Sequence, residues 1–250
     1  MNIQLGRYVF GAAAVLFGIV TLVFRELNDW QQFQFFDGLA TNATFATVIG
    51  AAQLVGGIAI LLPKTARTGA VVLGVLELIF ALTWLPLFAE KPAVYDRLAN
   101  FFEQFSQFAG ALIVYATFQA SDSRRALNLA NVGRILFGFC VVSFAVEQIV
   151  YIHGTAEFVP KWIPPDQMFW AVTTTVAFVL AAIAILTGRA ALLAARLLTA
   201  MIIIFGLTIW LPAIFPHPHD ITSWAGNAEN LAIAGAAWIL ADFLSQRDVA

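Results

Sequence analysis

The sequence predicts an all-α, polytopic membrane protein with eight transmembrane helices in two parallel four-helix repeats. Three observations carry this prediction. Hydrophobic residues make up 61% of the 250 positions and charged ones 11%, with a mean hydropathy of +0.84, whereas soluble domains are about a quarter charged. Uncharged stretches of 17, 26 and 22 residues run from Arg7 to Arg25, from Asp37 to Lys64 and from Asp166 to Arg189, near the roughly 20 apolar residues a spanning helix requires. Segments of the first half also recur in the second at an offset of 125 to 127 residues.

Taken in order, the first span lies between Arg7 and Arg25. It leads into "RELNDWQQF" rather than a small-residue cleavage site, so it is expected to be retained and not removed as a signal peptide. The second occupies the stretch before Lys64. Five further spans, each with a single internal acid or an ambiguous end, fall at about 67–88, 98–120, 134–152, 197–215 and 223–244, and the sixth in chain order lies between Asp166 and Arg189. "TWLP" from Thr83 and "IWLP" from Ile209 end the third and seventh spans, where proline is expected to stop the helix and tryptophan to anchor it. The lone Cys140 excludes an intrachain disulfide or a CxxC pair, and the absence of a basic patch argues against nucleic acid as a partner.

With eight spans, the side carrying the amino terminus holds Arg7, Lys64, Arg67, Arg124, Arg125, Arg134, Arg189, Arg196 and Arg247; the opposite side holds Arg25, Lys91, Arg97 and Lys161. Nine basic residues against four predict that both termini are cytoplasmic. Trp30, Trp84, Trp162, Trp170, Trp210 and Trp224 then fall at the outer ends of helices or in outer loops, where amphipathic rings settle at headgroup level.

The repeat is explicit in four places. "GRYVFGAAAVLFG" from Gly6 pairs with "GRILFGFCVVSFA" from Gly133, "IAILLPK" from Ile58 with "IAILTGR" from Ile183, "TWLP" with "IWLP", and "FFEQ" from Phe101 with "NAEN" from Asn227. An even number of spans per copy gives both the same orientation. The polar junction "QASDSRRALNLANV" puts the boundary near Ser123, with units 1–123 and 124–250. A unit opening with "GRILFGFCVVSFAVEQIVY", followed by "FVPKWIPP" and an apolar helix pair around "IAILTGR", resembles the DoxX-like family of bacterial membrane proteins, making the chain a tandem of two such units. The resemblance implies a four-helix unit in the bacterial cytoplasmic (inner) membrane and, from some members, quinone or thiol redox chemistry. Many members carry an acid in the second helix; here Gln53 stands ahead of "LVGGIAIL".

Ionisable residues within spans are functional candidates by default. Four acids qualify: Glu77, Glu103, Glu147 and Glu229. Glu103 and Glu229 occupy equivalent places in the two copies, each followed by an amide, Gln104 or Asn230. One explanation is structural, a carboxylate at the favourable end of the helix dipole; the other is a polar site where the two copies meet. Arg25 is the nearest obvious cation for the outer acids. His153, His217 and His219, with Asp220, all lie in the second copy and offer imidazole and carboxylate ligands suited to zinc or copper, against the plain reading of solvated loop residues. No histidine lies deep in a span, which argues against buried haem. Two functional readings are open. The first is an accessory or scaffold subunit that holds lipid or quinone, with protein partners or a second copy of itself, favoured by small-residue stretches such as "GAAA" and "AIAGAA". The second is an oxidoreductase or transport component that uses the acids in the outer half of the bilayer.

Overall fold

The computed structural model describes residues 4–27, 31–36, 38–118 and 123–247, and no strand occurs among them. The helices are α1 (Leu5–Phe24), α2 (Ala43–Leu61), α3 (Ala66–Glu90), α4 (Tyr95–Thr117), α5 (Ser123–Val150), α6 (Ile152–Phe158), α7 (Gln167–Thr187), α8 (Ala191–Phe205), α9 (Leu211–Ile214) and α10 (Ile221–Arg247). A 3₁₀ turn, Gln31–Phe35, lies between α1 and α2, and a π-helical segment, Gly206–Trp210, joins α8 to α9. Local chemistry sets several boundaries. Asn42 and Asp166 cap α2 and α7 by accepting the N–H of Phe45 (2.9 Å) and of Phe169 (2.8 Å). Gly188 ends α7 at φ 78°, a left-handed conformation that glycine adopts without a Cβ penalty.

Six helical stretches are long and apolar enough to cross a membrane: Leu5–Phe24, Ala43–Leu61, Ala66–Glu90, Arg124–Val150, Gln167–Thr187 and Ala191–Ile214. The chain is on that ground a multi-pass membrane protein. Its lateral surface fits the assignment, with Val55, Leu180, Ile183, Leu193, Leu197 and Leu207 all exposed. α4 and α10 are long too, at 23 and 27 residues, but more polar. Their position explains the difference. The long helices pack in the ring order α1, α2, α3, α4, α5, α7, α8, α10, closing back onto α1, and α4 also packs on α10 across the middle. Polar side chains on those two helices can therefore face protein instead of hydrocarbon.

Small residues bring the helices together. A Cβ on Gly11 would lie 2.8 Å from Ile60 Cγ2, and one on Gly138 would lie 2.7 Å from Leu186 Cδ2, fixing α1 on α2 and α5 on α7. Gly6 meets the backbone of Ile239 in α10, and Gly133 meets Ile113 in α4. At the centre, a Cβ on Gly110 would lie 2.8 Å from that of Ala236. Two arginines, Arg7 buried and Arg134 half-buried, satisfy helix ends. Arg7 Nη1 donates to the carbonyls of Ile60 (2.6 Å) and Leu61 (2.8 Å) at the end of α2, and Arg134 Nη1 donates to Ile185 O and Leu186 O at the end of α7. These carbonyls have no intrahelical donor, and the cation also complements the negative end of the helix dipole. Asp242 Oδ2 accepts the Gly6 N–H at 2.9 Å, tying the start of α1 to α10.

The sequence-based bounds need three corrections. Helix α5 begins well before position 134, because the polar stretch from Ser123 to Asn131 continues the helix beyond the apolar span. Pro86 does not stop α3, which runs on to Glu90. At the "IWLP" stretch, the chain widens into the π-helical segment and Pro212 opens α9, since proline is tolerated in a first helical turn.

Candidate functional site

The four span acids come from four helices: Glu77 from α3, Glu103 from α4, Glu147 from α5 and Glu229 from α10. Glu103, Glu147 and Glu229 lie within electrostatic reach of one another, and Glu77 within reach of Glu229. Glu229 acts on Glu77, on Glu103 and on Glu147. Glu103 is acted on by Glu229, Glu147 and Asp96, and Asp96 also acts on Glu147. Helix geometry orders these groups by depth. Asp96 is exposed at the start of α4, Glu103 and Glu229 each lie about 12 Å along their helices, and Glu77 lies about 20 Å from the end of α3, near its middle. In depth, Asp96, the Glu103 and Glu229 pair, and Glu77 thus step from the surface opposite the amino terminus to the middle of the bundle (hereafter the carboxyl line).

Spacing along α4 produces this line. Asp96, Glu103 and Gly110 recur every seven residues and so share a face, and Gly110 is where that face meets α10. Polar groups surround the entrance. Tyr95 Oη and Ser143 Oγ are 3.0 Å apart, the Asp96 N–H donates to Tyr151 Oη at 3.2 Å, and Gln148 Oε1 accepts from Thr174 and Thr175. Deeper in the first half lies a second set of polar groups. Gln32 and Gln104 form a reciprocal amide pair (3.1 and 3.3 Å). Gln53 (1% exposed), Gln107 (1%) and Glu77 (3%) are buried, and Gln53 Nε2 and Oε1, Gln107 Nε2 and Glu77 Oε2 have no hydrogen-bond partner.

Other predicted residues fall elsewhere. Arg25 is exposed at the end of α1 with a left-handed φ of 58°, and its N–H bonds Thr21 O. The buried cation near the mouth of the acid line is Arg97, which donates to Leu87 O, pairs with Glu90 (3.5 Å) and covers the Phe35 ring. His153, His217 and His219 are exposed, and no group of three histidine, cysteine or acidic side chains suited to a metal forms among the described residues. Asp220 serves instead at the start of α10. Desolvation raises its pKa, but donation from the Thr222 N–H (3.1 Å) and the Ser223 hydroxyl (3.0 Å) together outweighs it and holds the carboxyl below the usual range.

The tryptophans divide. Trp162 is 75% exposed, as an interface anchor would be, whereas Trp84, expected at headgroup level, is 2% exposed and packs against Phe35. Trp210 packs its ring edge atoms Cζ3 and Cε3 against Gly226, Trp224 Nε1 donates to Pro218 O, and Trp30 lies outside the described residues. Sequence reasoning missed Asp96 and Gln107 as members of the site, although the seven-residue spacing of Asp96 to Glu103 was there to be read. No protein-family model, curated protein or solved structure matches the chain.

Proposed function

We propose that this chain is a proton- or cation-handling transport component of the membrane, working through the carboxyl line of Asp96, Glu103, Glu147, Glu229 and Glu77. The observation that carries the reading is that acids from four helices lie in electrostatic reach of at least one other, Glu229 of α10 reaching Glu77, Glu103 and Glu147. Carboxyls in electrostatic reach of one another and partly withdrawn from water favour the uptake of protons or cations, and groups that interact in this way exchange them as a coupled set. In a purely structural subunit the acids would point separately into helix contacts or water.

The chain is further read as eight spans, with α4 and α10 as the two central ones, built from two DoxX-like four-helix units, 1–123 and 124–250. Matching contacts support this. Arg7 holds residues 60 and 61 as Arg134 holds 185 and 186, and Gly6 meets Ile239 as Gly133 meets Ile113. Gly110 and Ala236, equivalent by the offset of 126, touch each other, as residues on a twofold axis would. The basic-residue bias supports cytoplasmic termini in a bacterial inner membrane, so that the line opens on the outer side.

The test is proton flux in proteoliposomes under an imposed potential, followed with an entrapped pH-sensitive dye. Wild-type protein is expected to carry protons, and the Glu103→Gln/Glu229→Gln variant to lose at least about tenfold of that flux, less than removal of one general proton-transfer group commonly costs. Wild-type flux equal to that of empty liposomes in every cation tested, or a double variant as active as wild type, rejects the reading.

A further inference from the structure

The inner end of the carboxyl line has a chemistry of its own, whose role rests on the transport function proposed for that line. A Cβ on Gly56 of α2 would lie 2.8 Å from Leu73 of α3. The two helices are antiparallel, so one turn away Gln53 stands level with Glu77. On the other flank, Gly74 of α3 faces Ala111 and Phe108 of α4, which brings Gln107 to the same level. Three helices thus deliver to one depth a carboxyl and two primary amides, all at most 3% exposed, with four polar atoms unpartnered. Orphaned buried polar groups are costly, at about 1–3 kcal/mol each, so a native structure that keeps them implies a further occupant.

The atoms identify that occupant. An alkali cation wants a cage of oxygens, but two of the four unpartnered atoms here are amide nitrogens, Gln53 Nε2 and Gln107 Nε2, which offer N–H groups instead. The unpartnered oxygens are Glu77 Oε2 and Gln53 Oε1, which cannot bond each other while both only accept. One proton on Glu77 turns the first into a donor for the second. We infer that Glu77, with Gln53 as acceptor for its O–H, is a proton-binding site at the inner end of the line. Glu229 is the titratable group that acts on it from α10; α2 offers Gln53, α4 Gln104 and Gln107, and the 3₁₀ turn Gln32. By the 125–126 residue offset, the second half has Phe178, Ile203 and Ile233 in these places, and Phe178 packs against Phe144 and Phe205. The site therefore belongs to the first half alone.

The test is infrared difference spectroscopy of the full chain in liposomes, following the C=O stretch of protonated carboxyls. At neutral pH the wild-type band is expected to contain one component that Glu77→Gln removes, that Glu77→Asp and Gln53→Leu shift in frequency, and that is unchanged when sodium or lithium replaces potassium. Glu77→Asp keeps a carboxyl in place should the glutamine variant fail to fold. A band indifferent to Glu77→Gln, or one abolished in wild type by sodium, overturns the inference. Such a result with proton or cation flux intact would leave the transport reading standing, whereas absent flux with the Glu77 component present would remove that reading alone.

Discussion

Arg7 and Arg134 each place a guanidinium on the last carbonyls of a helix that is not their own. Both are buried or nearly so, and the carbonyls they serve cannot turn to water without parting the helices. Replacing Arg7 by methionine keeps most of the aliphatic volume but orphans two acceptors, so a loss of about 2 kcal/mol is expected for a charge-assisted pair; equilibrium unfolding in mixed micelles would measure it. Asp220 makes a milder prediction, in pH. Its carboxyl is held below the usual range in the folded protein, so its stabilising contribution is complete above the unfolded value of about 3.9 and is lost as pH falls through the folded one. Asp220→Asn should therefore flatten the acid limb of the stability curve below about pH 4 and leave it nearly unchanged at pH 7, apart from the cap itself. Melting temperatures of the two proteins across that range would decide it.

Helices α4 and α10 are the elements that most need tertiary context. Their acids and amides would be poor company for lipid, yet the ring of helices surrounds much of both, and each pairs closely with the next helix through glycine. Gly133 is one such contact, with Ile113 Cγ1 2.6 Å from where a Cβ would stand, while Gly154 in α6 has nothing within 4 Å. Gly133→Leu is expected to cost at least about 1–3 kcal/mol through overpacking. Gly154→Ala should be neutral or slightly stabilising, since helix propensity favours alanine by about 1 kcal/mol. Thermal stability of the two variants side by side provides the comparison, and equal destabilisation would contradict the packing. The widened turn at Gly206–Trp210 shows the same dependence on surroundings: Asn227 reaches from α10 to Trp210 O (2.5 Å) and Asn230 to Ile202 O (3.0 Å), whereas α3 passes its own proline without such a break.

At the scale of the molecule, the α4–α10 crossing joins the two halves of the chain, and its centre is Gly110 against Ala236. Cysteines at both positions, in a Cys140→Ser background, are close enough for a disulfide with a small adjustment, given the usual Cβ separation of about 3.5–4.5 Å. Oxidation with iodine should give a cross-linked monomer that links the halves when the chain is cleaved in the 119–122 region. Cross-linking only between chains would place the contact between copies instead. The membrane-spanning helices were legible in advance, because hydrophobic length announces a spanning helix. The acids were legible too, as costly residues in apolar runs. Their convergence was not, and neither were Gln53 and Gln107 as unpartnered groups beside Glu77, or Trp84 as a core residue. By itself the sequence determined that the chain lives in a membrane as long helices and which residues are expensive to keep there, since transfer from water to hydrocarbon depends on composition along one segment. Only the tertiary structure decided which expensive residues meet, because that depends on helix rotation and register, set by close contacts such as Gly110 with Ala236 that no single segment contains.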